Sequence, residues 1–251
     1  MVAAELGMGL LVTLLWLAGR RQGQSLRVGS KTFAESVRLG ESLTQRLQMA
    51  GLEATHRRGL GGTHLLWEAL LRGEIDLYPE YTGTLERELL DQGEQLPDLG
   101  LGVSAPLGFS NPYALGIRRE RARQLGLRKI SQLVQLPELS LGMGHEFLQR
   151  KDGWNLLQRG YDLPQRRIYT FKRNEAFSAL KAGHLDLLEV FATDPEVRRQ
   201  RLLLLEDDRR LFPSYQAVIL YRLKYDRLVG PVLSQLEHSL APFRVGAASR
   251  I

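Results

Sequence analysis

Residues 78–84, Tyr-Pro-Glu-Tyr-Thr-Gly-Thr, gather an aromatic ring (Tyr81), a carboxylate (Glu80) and the hydroxyls of Thr82 and Thr84 into one short stretch. Hydroxyls and carboxylates recognise by hydrogen bonding, and an aromatic face attracts apolar or cationic groups. Catalysis would need more, and its signatures are missing. There is no Gly-x-Ser-x-Gly elbow, phosphate-binding loop or His-Glu-x-x-His string. The histidines, at 56, 64, 145, 184 and 238, lie far apart in the chain, so neither a metal site nor a catalytic histidine is expected. Glu74 and Asp76 stand two apart, but Glu74 directly follows Gly73 and reads as a solvated turn residue. Glu80 reads as a member of a polar network that steadies its turn. The chemistry on offer is binding, with no cofactor.

The elements that must position these groups follow from hydrophobic spacing and glycine punctuation. Residues 26–29 read as a first strand and 30–32 as a turn. Residues 33–49 read as a helix with Val37, Leu43 and Leu47 inside, closed by Gly51. Lys31 then sits at a strand's carboxyl end beside a helix N-terminus, a place that favours an anion. Residues 52–56 form the next strand and lead to a turn rich in glycine (Gly59, Gly61, Gly62). A helix with Leu65, Leu66, Ala69 and Leu70 on one face follows, until Gly73 stops it. Residues 75–78 are a short buried strand, and 79–84 the turn beyond it. In open α/β sheets, ligands sit just past the carboxyl ends of strands.

This unit occurs twice. Ala69-Leu70 answers to Ala179-Leu180, Gly73 to Gly183, Asp76-Leu77 to Asp186-Leu187, and Tyr81 to Phe191, always at the same offset (183 − 73 = 110). A weaker echo pairs Val28-Gly29 before Phe33 with Leu141-Gly142 before Phe147. The repeat predicts two similar α/β lobes, each bringing an aromatic residue to the tip of an equivalent strand, with a cleft between them. Residues 103–117 are the first crossing, with Asn111 and Tyr113 facing the cleft. Residues 202–205 and 211–221 cross back, and a helix over 231–240 packs on the first lobe. The expected division is 26–107 plus 212–251 for lobe I and 108–211 for lobe II.

Composition sets the outer bounds. The 251 residues are 43% hydrophobic and 25% charged, enough for one large core or two modest ones. With 0 cysteines, disulfides, thiolate metal sites and a lipid-modified cysteine anchor are excluded. The net charge of +6 comes mostly from scattered arginines. The densest run, Arg118 to Arg123 with Arg128-Lys129, reads as a solvated helix face, and no nucleic-acid motif accompanies it. Residues 7–18 form an apolar run too short to span a bilayer comfortably. With Arg20-Arg21 after it and Glu5 before it, residues 1–25 read as a signal peptide or membrane anchor outside the folded part.

Several strings resemble the substrate-binding proteins, or fused binding domains, of ABC importers for quaternary ammonium osmolytes such as glycine betaine, choline and carnitine. They are VGSKTFAES (28–36), GLGGT (59–63), EALLRGEIDLYPEYTGT (68–84), PLGFSNPYAL (106–115), EFLQRKDG (146–153), VFATD (190–194) and FPSYQA (212–217). They stand in the family's order and are spread along nearly the whole of residues 26–221. The resemblance implies a two-lobed periplasmic-binding-protein (type II) fold of the α/β class with two inter-lobe crossings. It also implies a monomeric binding domain outside the cytoplasm, serving membrane permease subunits and free, anchored or fused to them.

Tyr81, Tyr113 and Tyr215 match cage tyrosines, and Phe191 falls where a further tyrosine is usual. Lys31, Thr84 and Arg150 match the groups that hold a ligand carboxylate. Asn111 matches a position whose backbone carbonyl faces the cation. Phe191, Thr32 and the Ala192-Thr-Asp-Pro195-Glu stretch depart from the common pattern and leave the identity of the ligand open, ergothioneine among the candidates. The physics agrees, because a trimethylammonium group donates no hydrogen bond and is selected by π faces instead. A sensory domain on the same fold is the alternative output.

Overall fold

The computed structural model of the protein describes residues 25–239. The expected signal or anchor, apart from Ser25, lies outside the described residues, as do residues 240–251 of the expected first lobe. In chain order the strands are β1 (Leu26–Lys31), β2 (Ala54–Gly61), β3 (Leu77–Tyr81), β4 (Leu101–Val103) and β5 (Tyr113–Arg118). Then come β6 (Leu141–Met143), β7 (Ile168–Thr170), β8 (Leu187–Phe191), β9 (Leu202–Leu204) and β10 (Ala217–Arg222). The helices are α1 (Ala34–Met49), α2 (Thr63–Leu71), α3 (Arg119–Leu125) and α4 (His145–Gln149). They continue with α5 (Trp154–Tyr161), α6 (Arg173–Ala182), α7 (Pro195–Arg199) and α8 (Asp226–Ser239).

The strands form two sheets of 5, ordered β2-β1-β3-β10-β4 and β7-β6-β8-β5-β9. Position by position the sheets correspond, with β3 equivalent to β8 and β10 to β5. In each, the central strand runs parallel to one neighbour and antiparallel to the other. The antiparallel partner always follows a crossing: β5 comes after β4 of the other sheet, and β10 after β9. The chain therefore passes between lobes at residues 104–112 and 205–216. The stretch expected to begin the return, 202–205, is instead mostly β9, an edge strand paired with β5.

Packing explains the elements. In α1 Val37 is buried, and Leu39, Leu43 and Leu47 form an inward stripe to whose cluster α8 adds Val229, Val232, Leu233 and Leu236. That helix begins at Asp226, with Pro231 inside it. On the other face of the first sheet, α2 contributes Leu66, Trp67, Ala69 and Leu70. Leu65, expected on that face, is 56% exposed, because Trp67 takes the inward position on the helical period. In the second lobe, Ala176, Phe177 and Leu180 of α6 meet Leu185, Leu188 and Val190. The arginine-bearing helix α3 is largely exposed, with Arg119 and Arg123 in solvent.

Two expected turns prove to be strand. β2 continues through Gly59 to Gly61, where the pairing with β1 slips between Gly29 and Lys31. Gly59 takes φ 63 there, a conformation glycine adopts without steric cost. Pro79, Glu80 and Tyr81 belong to β3 because β10 pairs with them, at Ile219, Val218 and Ala217. Pro79 lacks an N–H to give, but the ladder between β1 and β3 pairs only Val28 with Leu77, so none is required. Only Thr82–Thr84 turns, as a single helical turn. A Cβ on Gly83 would lie 2.7 Å from the Ser214 carbonyl oxygen, so the return crossing can lie directly against this turn.

Candidate functional site

The carboxyl ends of β1, β3 and β8 and the two crossings converge on one cavity of ≈ 190 Å³. Its lining includes the rings of Tyr81, Tyr113, Phe191 and Tyr215 and the polar groups of Lys31, Thr84, Asn111 and Arg150. The structure thus brings together all the residues singled out from the sequence. Sequence reasoning missed other members, namely Phe33, Thr63, Glu146, Phe147 and Glu189. The signal for two of them was present, since Phe33 and Phe147 are the residues paired by the weaker internal echo.

The rings form a connected wall. Phe33 lies 4.8 Å from Phe191 and 6.4 Å from Tyr81, centroid to centroid. Tyr113 lies 4.9 Å from both Phe191 and Phe147 and meets Tyr215 edge-on at 5.7 Å. Tyr81, Tyr113 and Tyr215 also belong to the apolar cluster that runs from one lobe to the other. Burial pushes the hydroxyls of all three tyrosines well above their ordinary range. They remain protonated, and the Tyr81 and Tyr215 hydroxyls each donate to a buried carboxylate. Tyr81 donates to Glu35 at 2.6 Å, and Tyr215 to Asp152 at 2.7 Å.

The polar end is built from paired charges. The Lys31 ammonium donates to Glu80 at 2.6 Å and to the Thr63 hydroxyl at 3.0 Å, and Glu80 also accepts from the Tyr81 backbone N–H. Arg150 is gripped by Asp152 at 2.6 and 2.7 Å and donates across the cleft to Thr63 and Thr84. Burial is the largest single influence and works to lower the Arg150 pKa, but the Asp152 hydrogen bond and charge, together with the nearby Tyr113 and Tyr215 hydroxyls, outweigh it and hold the guanidinium charged. Neither cation is therefore a free clamp. Each is oriented by a carboxylate from its own lobe, which leaves the Thr63 and Thr84 hydroxyls and the remaining Lys31 N–H as donors toward a guest.

Further bonds tie the lobes. Glu146, on α4, accepts from the Thr63 N–H at the start of α2 and lies 3.5 Å from Arg150. Burial acts to raise its pKa, but the Thr63 hydrogen bonds and the Lys31 and Arg150 charges hold it below the usual carboxylate range. Glu88 accepts from the Asp152 N–H. Asn111 gives its amide N–H to Glu35 and accepts the Thr193 N–H, so this crossing residue joins α1 to the segment after β8. Among the described residues no cluster of histidine, aspartate and glutamate has the makings of a metal site.

An aromatic-walled cavity between two α/β lobes with paired crossings defines a two-lobed binding protein. Residues 24–239 match the family described as the substrate binding domain of ABC-type glycine betaine transport systems, and the chain belongs to that family. It is 30% identical to the ergothioneine transport permease/ergothioneine binding protein EgtU of Helicobacter pylori (strain G27), over 85% of this chain and 41% of that protein. The chain thus spans less than half the length of this relative. It is 31% identical to a glycine-betaine-binding protein of Pseudomonas aeruginosa, over 89% of this chain and 82% of that one. The crystal structure of a glycine betaine/carnitine/choline ABC transporter superposes with a TM-score of 0.67 at 21% identity, covering 86% of each chain. That likeness supports the fold.

Proposed function

We propose that this chain binds a quaternary ammonium compound between its lobes and presents it to the permease of an ABC importer. The observation that carries the reading is the ring wall itself: Phe33, Tyr81, Tyr113, Phe191 and Tyr215 surround one cavity that lies where both lobes and both crossings meet. A permanently charged group without N–H cannot be selected by hydrogen bonds, and each ring face contributes about 0.5–2 kcal/mol to holding it. Several such contacts account for a large share of the ~8 kcal/mol that micromolar affinity requires.

The role is binding rather than catalysis, and it belongs outside the cytoplasm, with the domain free, tethered or fused to its permease. Among the described residues no helix is long and apolar enough to cross a membrane. Because the lining comes from both lobes, a guest contacts more surface when they are closed, and that difference shifts the population toward closure.

One observation favours a guest that carries N–H donors, which glycine betaine lacks. Glu146 and Glu189 line the cavity on the second-lobe side, and carboxylates there suit a guest whose far end carries N–H donors, such as the thione-imidazole ring of ergothioneine. Titration calorimetry with glycine betaine, choline, carnitine and ergothioneine, with proline as the control, tests the proposal. At least one of the four should bind with a Kd in the micromolar range or tighter and proline should not. Binding of none of them ends the assignment.

A further inference from the structure

Glu35 stands apart from the other carboxylates packed behind the cavity wall. Glu80 is neutralised by Lys31 and Asp152 by Arg150, each at 2.6 Å. Glu35 is also buried, at 6% exposure, and accepts from the Tyr81 hydroxyl and the Asn111 amide. Both donors are neutral. Among the described residues no lysine, arginine or histidine forms a salt bridge with it. A buried carboxylate without a counter-charge is costly, and proteins keep one only where something else offsets it. Tyr81 and Asn111, its two partners, line the cavity, while Glu35 lies behind them.

We infer that Glu35 is a specificity-determining residue whose counter-ion is the ligand's ammonium group, felt through the Tyr81 ring. This rests on the proposed quaternary ammonium reading and deepens it. Two effects act in the same direction. A negative charge behind the ring attracts a cation in front of it, with little screening in a buried site. A phenol that donates to a carboxylate is polarised toward phenolate, which enriches its π face. Tyr215 provides the internal contrast, because its carboxylate partner Asp152 is already spent on Arg150. The site therefore selects positive charge at the Tyr81 end and is indifferent to it at the Tyr215 end.

The test is Glu35→Gln, which keeps an oxygen to accept from Tyr81 and Asn111 and removes only the charge. Glycine betaine, choline, carnitine and ergothioneine are titrated into wild type and variant by calorimetry, and the melting temperature of the ligand-free protein is recorded for both. For the tightest of the four ligands the variant should bind about tenfold more weakly or worse, about 1.4 kcal/mol. Its ligand-free melting temperature should be unchanged or raised, because an uncompensated charge has left the interior. A residue that merely props up Tyr81 would lose stability and affinity together. A smaller loss of affinity, or a loss accompanied by a lower melting temperature, overturns the inference while leaving the function standing. A wild type that binds none of the four ligands overturns both.

Discussion

β3 and β8 hold the same place in their sheets and end in rings that share one cavity, yet the rings are held differently. At the end of β3, Tyr81 is 5% exposed, with its hydroxyl on Glu35 and its backbone N–H on Glu80. At the end of β8, Phe191 is only partly buried and has no hydroxyl to tether; Asp194 accepts its backbone N–H. The frames beneath them match closely. Asp76 accepts the Arg27 N–H and side chain, and Asp186 accepts the Ser140 N–H and the Arg121 side chain. Gly73 and Gly183 both end a helix at positive φ, 69 and 82. The duplicated frame delivers a ring to the cleft in each lobe. What differs is the polar anchoring above it, concentrated on Tyr81 in the first lobe and displaced onto Arg150 and Asp152 in the second.

Cutting the anchor in each lobe should give the largest effect. Asp152→Ala would leave Arg150 buried without its carboxylate, and Glu80→Ala would do the same to Lys31. Each should cost about 3–5 kcal/mol in urea unfolding. Asp152→Ala should be the worse of the two, because it also strands the Tyr215 hydroxyl. Losses below 1 kcal/mol would mean that the pairs do not organise the site. Removing the rings comes next. Tyr81→Ala should weaken the tightest ligand by about tenfold, roughly 1.4 kcal/mol, and Phe191→Ala by about threefold, since a desolvated ring is worth more to a cation than a partly exposed one. Equal losses by calorimetry would erase the distinction drawn between the strands.

The smallest effect is a pH dependence across the cleft. The Glu146 pKa is held below its ordinary value of 4.5 by Thr63, Lys31 and Arg150. Its contribution to stability is thus complete above that value and fades as pH falls through the lowered pKa. Glu88, pushed upward by burial, has the opposite sign, its cost appearing as pH rises through the raised pKa. The difference in melting temperature between wild type and Glu146→Gln should therefore shrink on acidification below about pH 4.5. A difference that stays constant from pH 3 to 7 would refute the sign.

Much of the site could be read in advance because short-range rules control it. Gly73 and Gly183 stop their helices by conformation alone, and the constant offset between the units exposes Tyr81 and Phe191 as equivalents. The errors came where a partner from far along the chain decides the outcome. Nothing local shows that β10 will extend β3 through Tyr81, or that Trp67 will displace Leu65 from the core. Nothing local marks 202–204 as an edge strand of the second sheet.

By itself the sequence determined the two-lobed plan and the equivalence of Tyr81 and Phe191, because periodicity and glycine placement are properties of neighbouring residues; Tyr215 and Arg150 were legible only through the family resemblance, and Thr63, Glu146 and Glu189 were not legible at all. Only the tertiary structure decided which charge meets which. Lys31 and Arg150, legible as donors, turn out to be held by Glu80 and Asp152, while Glu35 has neutral partners alone. Ion pairing depends on distances of a few ångströms between groups brought together by folding, and that information is carried by the packed chain as a whole.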